Sequence, residues 1–130
     1  MKADLVLGID SSTTGCKAIV WDSQGRAAAI SRSPLSLLTP HPLWYEQPAE
    51  SWRLAAVKAL REISQQVQVE RIGALCISHQ RETFVPVDKA VKPLRNAILW
   101  MDERAGELLP TLRERLDADH FHQIDRKSVV

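Results

Sequence analysis

A carboxylate, hydroxyls, a glycine and a lysine follow one another in the segment Asp10–Lys17, which reads DSSTTGCK. Backbone N–H groups in a tight turn form a concave anion site, and the Ser and Thr hydroxyls add neutral donors. Gly15 allows close approach of the backbone, and Lys17 supplies positive charge. Asp10 ends an apolar run, where a carboxylate can hold a hydrated Mg²⁺. The segment therefore predicts a phosphate site, and the alternative is an ordinary polar hairpin turn.

The turn lacks the glycine-rich patterns of the common nucleotide-binding loops. Neither GxxxxGK[ST] nor GxGxxG occurs in the sequence, which disfavours P-loop and Rossmann interpretations. A plain two-residue hairpin would favour Asn-Gly or Asp-Gly. The run of hydroxyls therefore favours phosphate binding over a simple hairpin.

The flanking segments predict strands that hold this turn. Leu5–Ile9 is apolar without a helical period, and Lys17–Asp22 alternates; both patterns are typical of strands. Ser23–Gly25 is a turn, and Arg26–Ser33 returns as a third strand. The unit is a β-meander with the candidate phosphate turn at its first corner.

A helix and a further strand are predicted next. Leu35–Gln47 is a proline-containing connector, and Pro48 suits the first turn of a helix. The apolar residues at helical spacing are Trp52, Ala56, Ala59, Leu60, Ile63 and Val67. Arg71–Ser78 is almost wholly apolar and is predicted as a central strand.

The remaining elements complete an α/β pattern. Thr83–Val87 and Ala97–Trp100 are predicted strands, and Asp102–Leu116 is a helix that Pro110 kinks or restarts. This order predicts an α/β fold of the ribonuclease-H-like (actin-like ATPase) class, with a mixed sheet flanked by helices. Fold alone does not give function.

Composition excludes several classes of protein. The 130 residues suit one modest domain, and the net charge of +1 gives no general attraction to nucleic acid or anionic membranes. No apolar run reaches the ~18 residues of a membrane span, and the N-terminus is not a signal peptide. We expect a cytoplasmic location with no nucleic-acid or membrane partner. Cys16 and Cys76 lie in predicted strands and are expected to be buried thiols.

Three phrases resemble the FGGY family of carbohydrate kinases. They are LGIDSSTTGCKAIVWDSQGR, similar to its first phosphate motif, LWYEQPAESW, similar to its helix entry, and ISHQRETFVPVDKAVKPLRNAILWMDERA, similar to its sugar-binding stretch. Together they predict a partial N-terminal kinase domain at residues 1–124 and an atypical tail at 125–130. The resemblance implies ATP-dependent phosphorylation of a sugar or polyol, with ATP and Mg²⁺ as cofactors.

The resemblance also implies roles for single residues. Asp10 corresponds to the family's partner of Mg²⁺ and phosphate. The implied ATP phosphate contacts are Thr13, Thr14, Gly15 and Lys17. The implied substrate contacts are Gln80, Arg81, Glu82, Trp100 and Asp102. The Gln-Arg-Glu phrase resembles glycerol kinases, whereas Asp102 and Arg104 complete a W-x-D-x-R phrase of the wider family, so the substrate stays open.

Elementary chemistry supports these roles beside plainer alternatives. Arg81 donates and Glu82 accepts, so together they suit adjacent hydroxyls; the alternative is a solvated ion pair. Trp100 could cover the C–H face of a substrate or belong to a core. Asp102 could also cap a helix.

Part of the implied reaction lies outside this sequence. Kinases of this family transfer the γ-phosphoryl group of MgATP, with an Asp taking the hydroxyl proton. The resemblance places that Asp and a C-terminal nucleotide domain beyond residue 130. Where relatives continue with Thr-Gly, residues 125–130 read DRKSVV, which suggests a truncation, a shifted reading frame or an unexplained departure. The chain alone is expected to be inactive.

Two alternatives remain at this point. The first is a non-catalytic, truncated kinase module whose exposed apolar face is covered by association, which makes a homodimer possible. The second is a ribonuclease-H-like nuclease that uses Asp10 and other acidic residues to hold two metals. A nuclease would need a basic face, which the net charge of +1 does not favour.

Overall fold

A mixed four-stranded sheet with one long helix forms the body of the protein in the computed structural model, which describes residues 3–115. The strands are β1 (Leu5–Ser11), β2 (Gly15–Asp22), β3 (Ala27–Pro34), β4 (Glu46–Gln47), β5 (Ile72–His79) and β6 (Ala97–Ile98). The helices are α1 (Ala49–Ser64) and α2 (Leu109–Arg115), with 3₁₀ turns at Val69–Arg71 and Arg104–Leu108. In the main sheet, ordered β3-β2-β1-β5, only the β1–β5 pair is parallel. The predicted meander and mixed sheet are confirmed.

The core lies between α1 and one face of the sheet. Strand alternation turns residues such as Leu7 and Val20 toward the helix, where Val20 is fully buried. The facing stripe of α1 contains Ala55, Ala59 and Ile63. Small alanines let the helix approach the strands closely, while Ile63 fills the space near its end. The predicted amphipathic helix is therefore confirmed, and its start follows Pro48 as expected.

Strand β5 is not central among the described residues, contrary to the prediction. It forms the edge of the sheet, and Leu75 and Ile77 are 54% and 56% exposed. The cause is that α1 lies over β2 and β3 and leaves β5 uncovered. The prediction of two buried thiols also fails for Cys76, which is exposed, whereas Cys16 is buried. Burial, together with the negative charge of Asp10, raises the pKa of the Cys16 thiol.

The second half contains less regular structure than its sequence pattern predicts. The predicted strand Thr83–Val87 forms only single bridges, one of them between Phe84 and Ile98 in β6. The predicted final helix begins as a 3₁₀ turn and becomes α-helical at Leu109, so Pro110 marks a new helix start. The predicted tail, 125–130, lies outside the described residues. Between residues 3 and 115, no helix is both long and apolar enough to cross a membrane.

Candidate phosphate and substrate site

The candidate phosphate turn is a tight connection between β1 and β2. Ser11 pairs with Cys16 at the ends of the two strands. The backbone N–H of Ser12 donates to the Gly15 carbonyl at 2.9 Å, and the Ser12 hydroxyl donates to the same oxygen at 3.0 Å. A Cβ atom on Gly15 would lie 2.9 Å from the Ser33 carbonyl oxygen. Glycine is therefore required here because β3 passes so close to the turn.

A cavity of about 360 Å³ opens beside this turn. Its lining residues include Asp10, Ser12, Thr14, Gly15, Lys17 and Arg32. Lys17 is the cross-strand partner of both Asp10 on β1 and Arg32 on β3. Directly opposed residues project from the same face of a sheet, so one acidic and two basic side chains form a row. The sequence analysis missed Arg32, although the register of an alternating third strand could have identified it.

Thr13 joins the phosphate turn to the candidate substrate segment. Its hydroxyl donates to Gln80 Oε1 at 3.1 Å and accepts a hydrogen bond from Trp100 Nε1 at 3.2 Å. The Thr83 hydroxyl also donates to Gln80 Oε1 at 3.2 Å and accepts from the Trp100 backbone N–H at 3.0 Å. Two phrases that are far apart in sequence therefore meet at one hydroxyl.

Gln47 holds the turn from its other side and was missed by sequence reasoning. Its side-chain amide is fully buried and donates to the carbonyls of Thr13 at 2.7 Å and Ser36 at 3.1 Å. Its amide oxygen accepts from Trp52 Nε1 at 2.9 Å. Gln47 thus connects the turn to the first residues of α1. The only sequence signal was its place in the LWYEQPAESW phrase.

The predicted polyol-binding pair is exposed beside this junction. The side chains of Arg81 and Glu82 are 69% and 71% exposed and lie 3.9 Å apart, a weak contact that leaves both free to bind other groups. Glu82 has φ +54°, an uncommon conformation for a non-glycine residue that often occurs at functional sites. Trp100 is 56% exposed, so it is not part of a core.

Asp102 lies in a buried ionic network. Its side chain is 2% exposed and binds Arg104 through two side-chain contacts of 2.7 Å. It also accepts backbone N–H bonds from Tyr45 at 2.7 Å and Arg104 at 3.0 Å. Hydrogen bonding to the Arg104 guanidinium lowers the pKa of Asp102 to about 2, although burial of the carboxylate opposes this shift. With both oxygens doubly engaged, this geometry supports a positioning role for Asp102 rather than direct substrate contact.

Glu46 extends the same network into the connector. Its carboxylate accepts hydrogen bonds from Arg104 at 2.8 Å, Arg95 at 2.7 Å and Asn96 at 3.1 Å. Burial alone would raise the pKa of Glu46, but these donors outweigh it and lower the pKa. Arg104 also stacks on Trp44, with its guanidinium carbon 4.0 Å from the ring centroid. The network therefore fixes the loop after Trp100 against the segment that leads into α1.

Comparison with known sequences decides the family. Residues 5–129 match the sequence model of the N-terminal domain of the FGGY family of carbohydrate kinases. The chain belongs to this family. Similar relatives include a xylulose kinase of Klebsiella pneumoniae, 35% identical over 114 residues, and a glycerol kinase of Aquifex aeolicus, 40% identical over 112 residues. These alignments cover 88% and 85% of the chain but only 24% and 23% of the two relatives.

Solved structures agree with the FGGY assignment. The xylulose kinase of Rhodospirillum rubrum superposes with a TM-score of 0.85 at 28% identity, over 91% of this chain and 25% of that one. The Plasmodium falciparum glycerol kinase with ADP superposes with a TM-score of 0.80 at 24% identity, over 93% of this chain and 25% of that one. At this identity the likeness is evidence for the fold and for nothing further. The fold is therefore the actin-like ATPase class, as predicted. The chain spans about a quarter of the length of these relatives.

Proposed function

We propose that this FGGY chain provides the phosphate turn and the substrate-binding segment of an ATP-dependent kinase that phosphorylates a sugar or polyol hydroxyl. The observation that carries the proposal is the pair of hydrogen bonds at the Thr13 hydroxyl, which donates to Gln80 Oε1 and accepts from Trp100 Nε1. Phosphoryl transfer depends chiefly on holding the donor phosphate and the acceptor hydroxyl in register. A direct contact between the two binding segments supports that arrangement.

The phosphates would occupy the cavity beside the turn. Thr14 and the backbone at Gly15 line that cavity, and Lys17 supplies positive charge. Asp10 is exposed at the end of β1, and the described residues contain no cluster of three acidic, His or Cys groups suited to a metal. Mg²⁺ usually keeps several waters and takes one or two carboxylates plus phosphate oxygens. Asp10 fits such a site, where the ion would neutralise phosphate charge.

The substrate would lie against Trp100, beside Arg81 and Glu82. The exposed indole offers an apolar surface for C–H groups, while the charged pair offers a donor fork and a carboxylate acceptor for adjacent hydroxyls. Relatives named xylulose kinase and glycerol kinase match at similar identity. We therefore propose a pentulose or a polyol such as glycerol as the substrate class.

Several acidic residues of the chain form ion pairs with arginines, which makes them poor candidates for the proton acceptor of the reaction. Asp22 binds Arg26, Asp102 binds Arg104, and Asp4 binds Arg71. We propose that the general-base Asp belongs to another part of the kinase, and that this chain alone binds ligands without turnover. A coupled assay showing polyol-dependent ADP release at ordinary kinase rates would refute that statement.

The binding proposal can be tested by titrating the ¹⁵N-labelled chain and recording its amide and indole NMR signals. MgADP should shift the amides of Ser12–Gly15, whereas adenosine, which lacks phosphates, should not. Glycerol or D-xylulose should shift the Trp100 indole N–H. An absence of shifts with every ligand at about 10 mM, a range that detects millimolar affinity, would refute the proposal and support the non-catalytic alternative.

A homodimer is a second proposal, suggested by the uncovered face of β5. Leu75 and Ile77 are more than half exposed on a strand whose outer edge has no partner among residues 3–115. Such an edge is a ready template for pairing with another chain. A chain that sediments as a monomer at high concentration would refute it.

The cytoplasmic location also remains a proposal, which cell fractionation can test.

A further inference from the structure

Two basic side chains stand directly opposite each other in the cavity beside the phosphate turn. Lys17 on β2 and Arg32 on β3 are cross-strand partners and line the same space. Within residues 3–115, neither forms an ion pair with a carboxylate. Asp10 on β1 is the cross-strand partner on the other side of Lys17, and the two form no ion pair.

Like charges in directly opposed positions destabilise a sheet. Asp10 is the one carboxylate among the residues that line the cavity, and it forms an ion pair with neither cation. The cavity also presents Thr14, whose hydroxyl can donate to an anion. An anion with two adjacent charged groups would relieve the repulsion by giving each cation a phosphate of its own, whereas a single phosphate would have to share its charge between them.

We propose that Arg32 is a second phosphate-binding cation and that, with Lys17, it makes the cavity selective for a di- or triphosphate over a single phosphate. This inference rests on the proposed function, since it assumes that the cavity takes nucleotide phosphates. Arg32 suits the role because its guanidinium fork binds two phosphate oxygens at once. It is a binding residue for the phosphate chain and takes no part in proton transfer.

The test compares inorganic pyrophosphate, orthophosphate and MgADP as probes on the full chain, with dissociation constants taken from the Thr14 and Gly15 amide shifts. Arg32→Gln should weaken pyrophosphate and MgADP binding by about fivefold or more, because a charge-assisted contact is lost. Orthophosphate binding should change by less than about twofold, so the preference for pyrophosphate should fall. Arg32→Lys, which keeps the charge, should retain most of the affinity.

Arg61→Gln is the matched control. Arg61 is exposed on α1, so this substitution removes a positive charge of the same kind at a position away from the cavity. Equal pyrophosphate affinity in Arg32→Gln and Arg61→Gln, with Lys17→Gln clearly weaker, would overturn the role of Arg32 and leave the proposed function standing. Failure of the unaltered chain to bind any of the three probes would overturn both. Amide spectra of each variant without ligand report whether the fold is retained.

Discussion

Replacing Asp102 by asparagine tests whether its buried charge holds the loop that follows Trp100. The carboxylate accepts hydrogen bonds from Arg104 and from the Tyr45 backbone N–H, and it is almost fully buried. Asparagine keeps the shape, but it turns one acceptor oxygen into an NH₂ group that faces existing donors. We therefore expect the variant to fold with lower stability.

The magnitude follows from the pKa of Asp102. That pKa falls from 3.8 to about 2 in the folded protein, and each pH unit corresponds to about 1.4 kcal/mol, so ionisation contributes about 2 kcal/mol to stability. Leaving Arg104 without a full partner can raise the cost to about 4 kcal/mol. Because the folded pKa is lowered, the contribution is present above about pH 4 and is lost as the pH falls toward 2.

The assay is urea unfolding of both proteins at several pH values between 7 and 2.5. The difference in unfolding free energy should be largest at neutral pH and should shrink steadily below pH 4. Glu103→Gln, which neutralises an exposed carboxylate next to Asp102, should change stability by less than about 0.5 kcal/mol. A difference that is the same at pH 7 and pH 3, or no difference at all, would show that the charge of Asp102 does not support the loop.

Three further substitutions probe the phosphate turn, its contact with Trp100 and the exposed face of β5. Gly15→Ala should destabilise the fold by about 1–3 kcal/mol, because its Cβ would meet the Ser33 carbonyl. Gly106→Ala is the control, since there is open space around Gly106, and thermal melts of the two variants should show a loss of stability in Gly15→Ala alone. Thr13→Val should shift the Trp100 indole N–H signal, while Thr13→Ser should preserve it, since only the hydroxyl is bonded; an unchanged signal in Thr13→Val would contradict the contact. Leu75→Lys should leave unfolding free energy within about 0.5 kcal/mol and reduce any self-association in sedimentation, and unchanged association would exclude this face.

The β-meander and α1 could be predicted from the sequence because each carries its own local signal. Alternation in β2, the polar turn at Ser23–Gly25 and Pro48 before the helix are set by neighbours in the chain. The spacing that includes Ala59 and Ile63 identifies the buried stripe of α1. These features needed no knowledge of the rest of the fold.

Two of the failures concern the neighbours that surround a residue and not its secondary structure. The apolar run in β5 predicts a strand correctly, but its composition does not say which neighbours lie beside it, and Leu75 remains exposed. Likewise, Gln47 is an ordinary polar residue in sequence, and its role depends on Thr13 and Ser36, which the fold brings to it. Hydrogen-bond networks between distant segments leave no periodic trace.

The engaged hydroxyl of Thr13 bears on how the turn and the substrate segment work together. A hydroxyl has one proton, and Thr13 gives it to Gln80, so Thr13 cannot also donate to a phosphate while that bond is intact. Thr14 has no such constraint on its hydroxyl among the described contacts, and its carbonyl is fixed by the Leu35 N–H at 3.0 Å. In the proposed phosphate site, Thr14 is therefore a better hydroxyl donor than Thr13. Arg81 directly follows Gln80, so the proposed substrate contact and the residue bonded to Thr13 are neighbours in the chain.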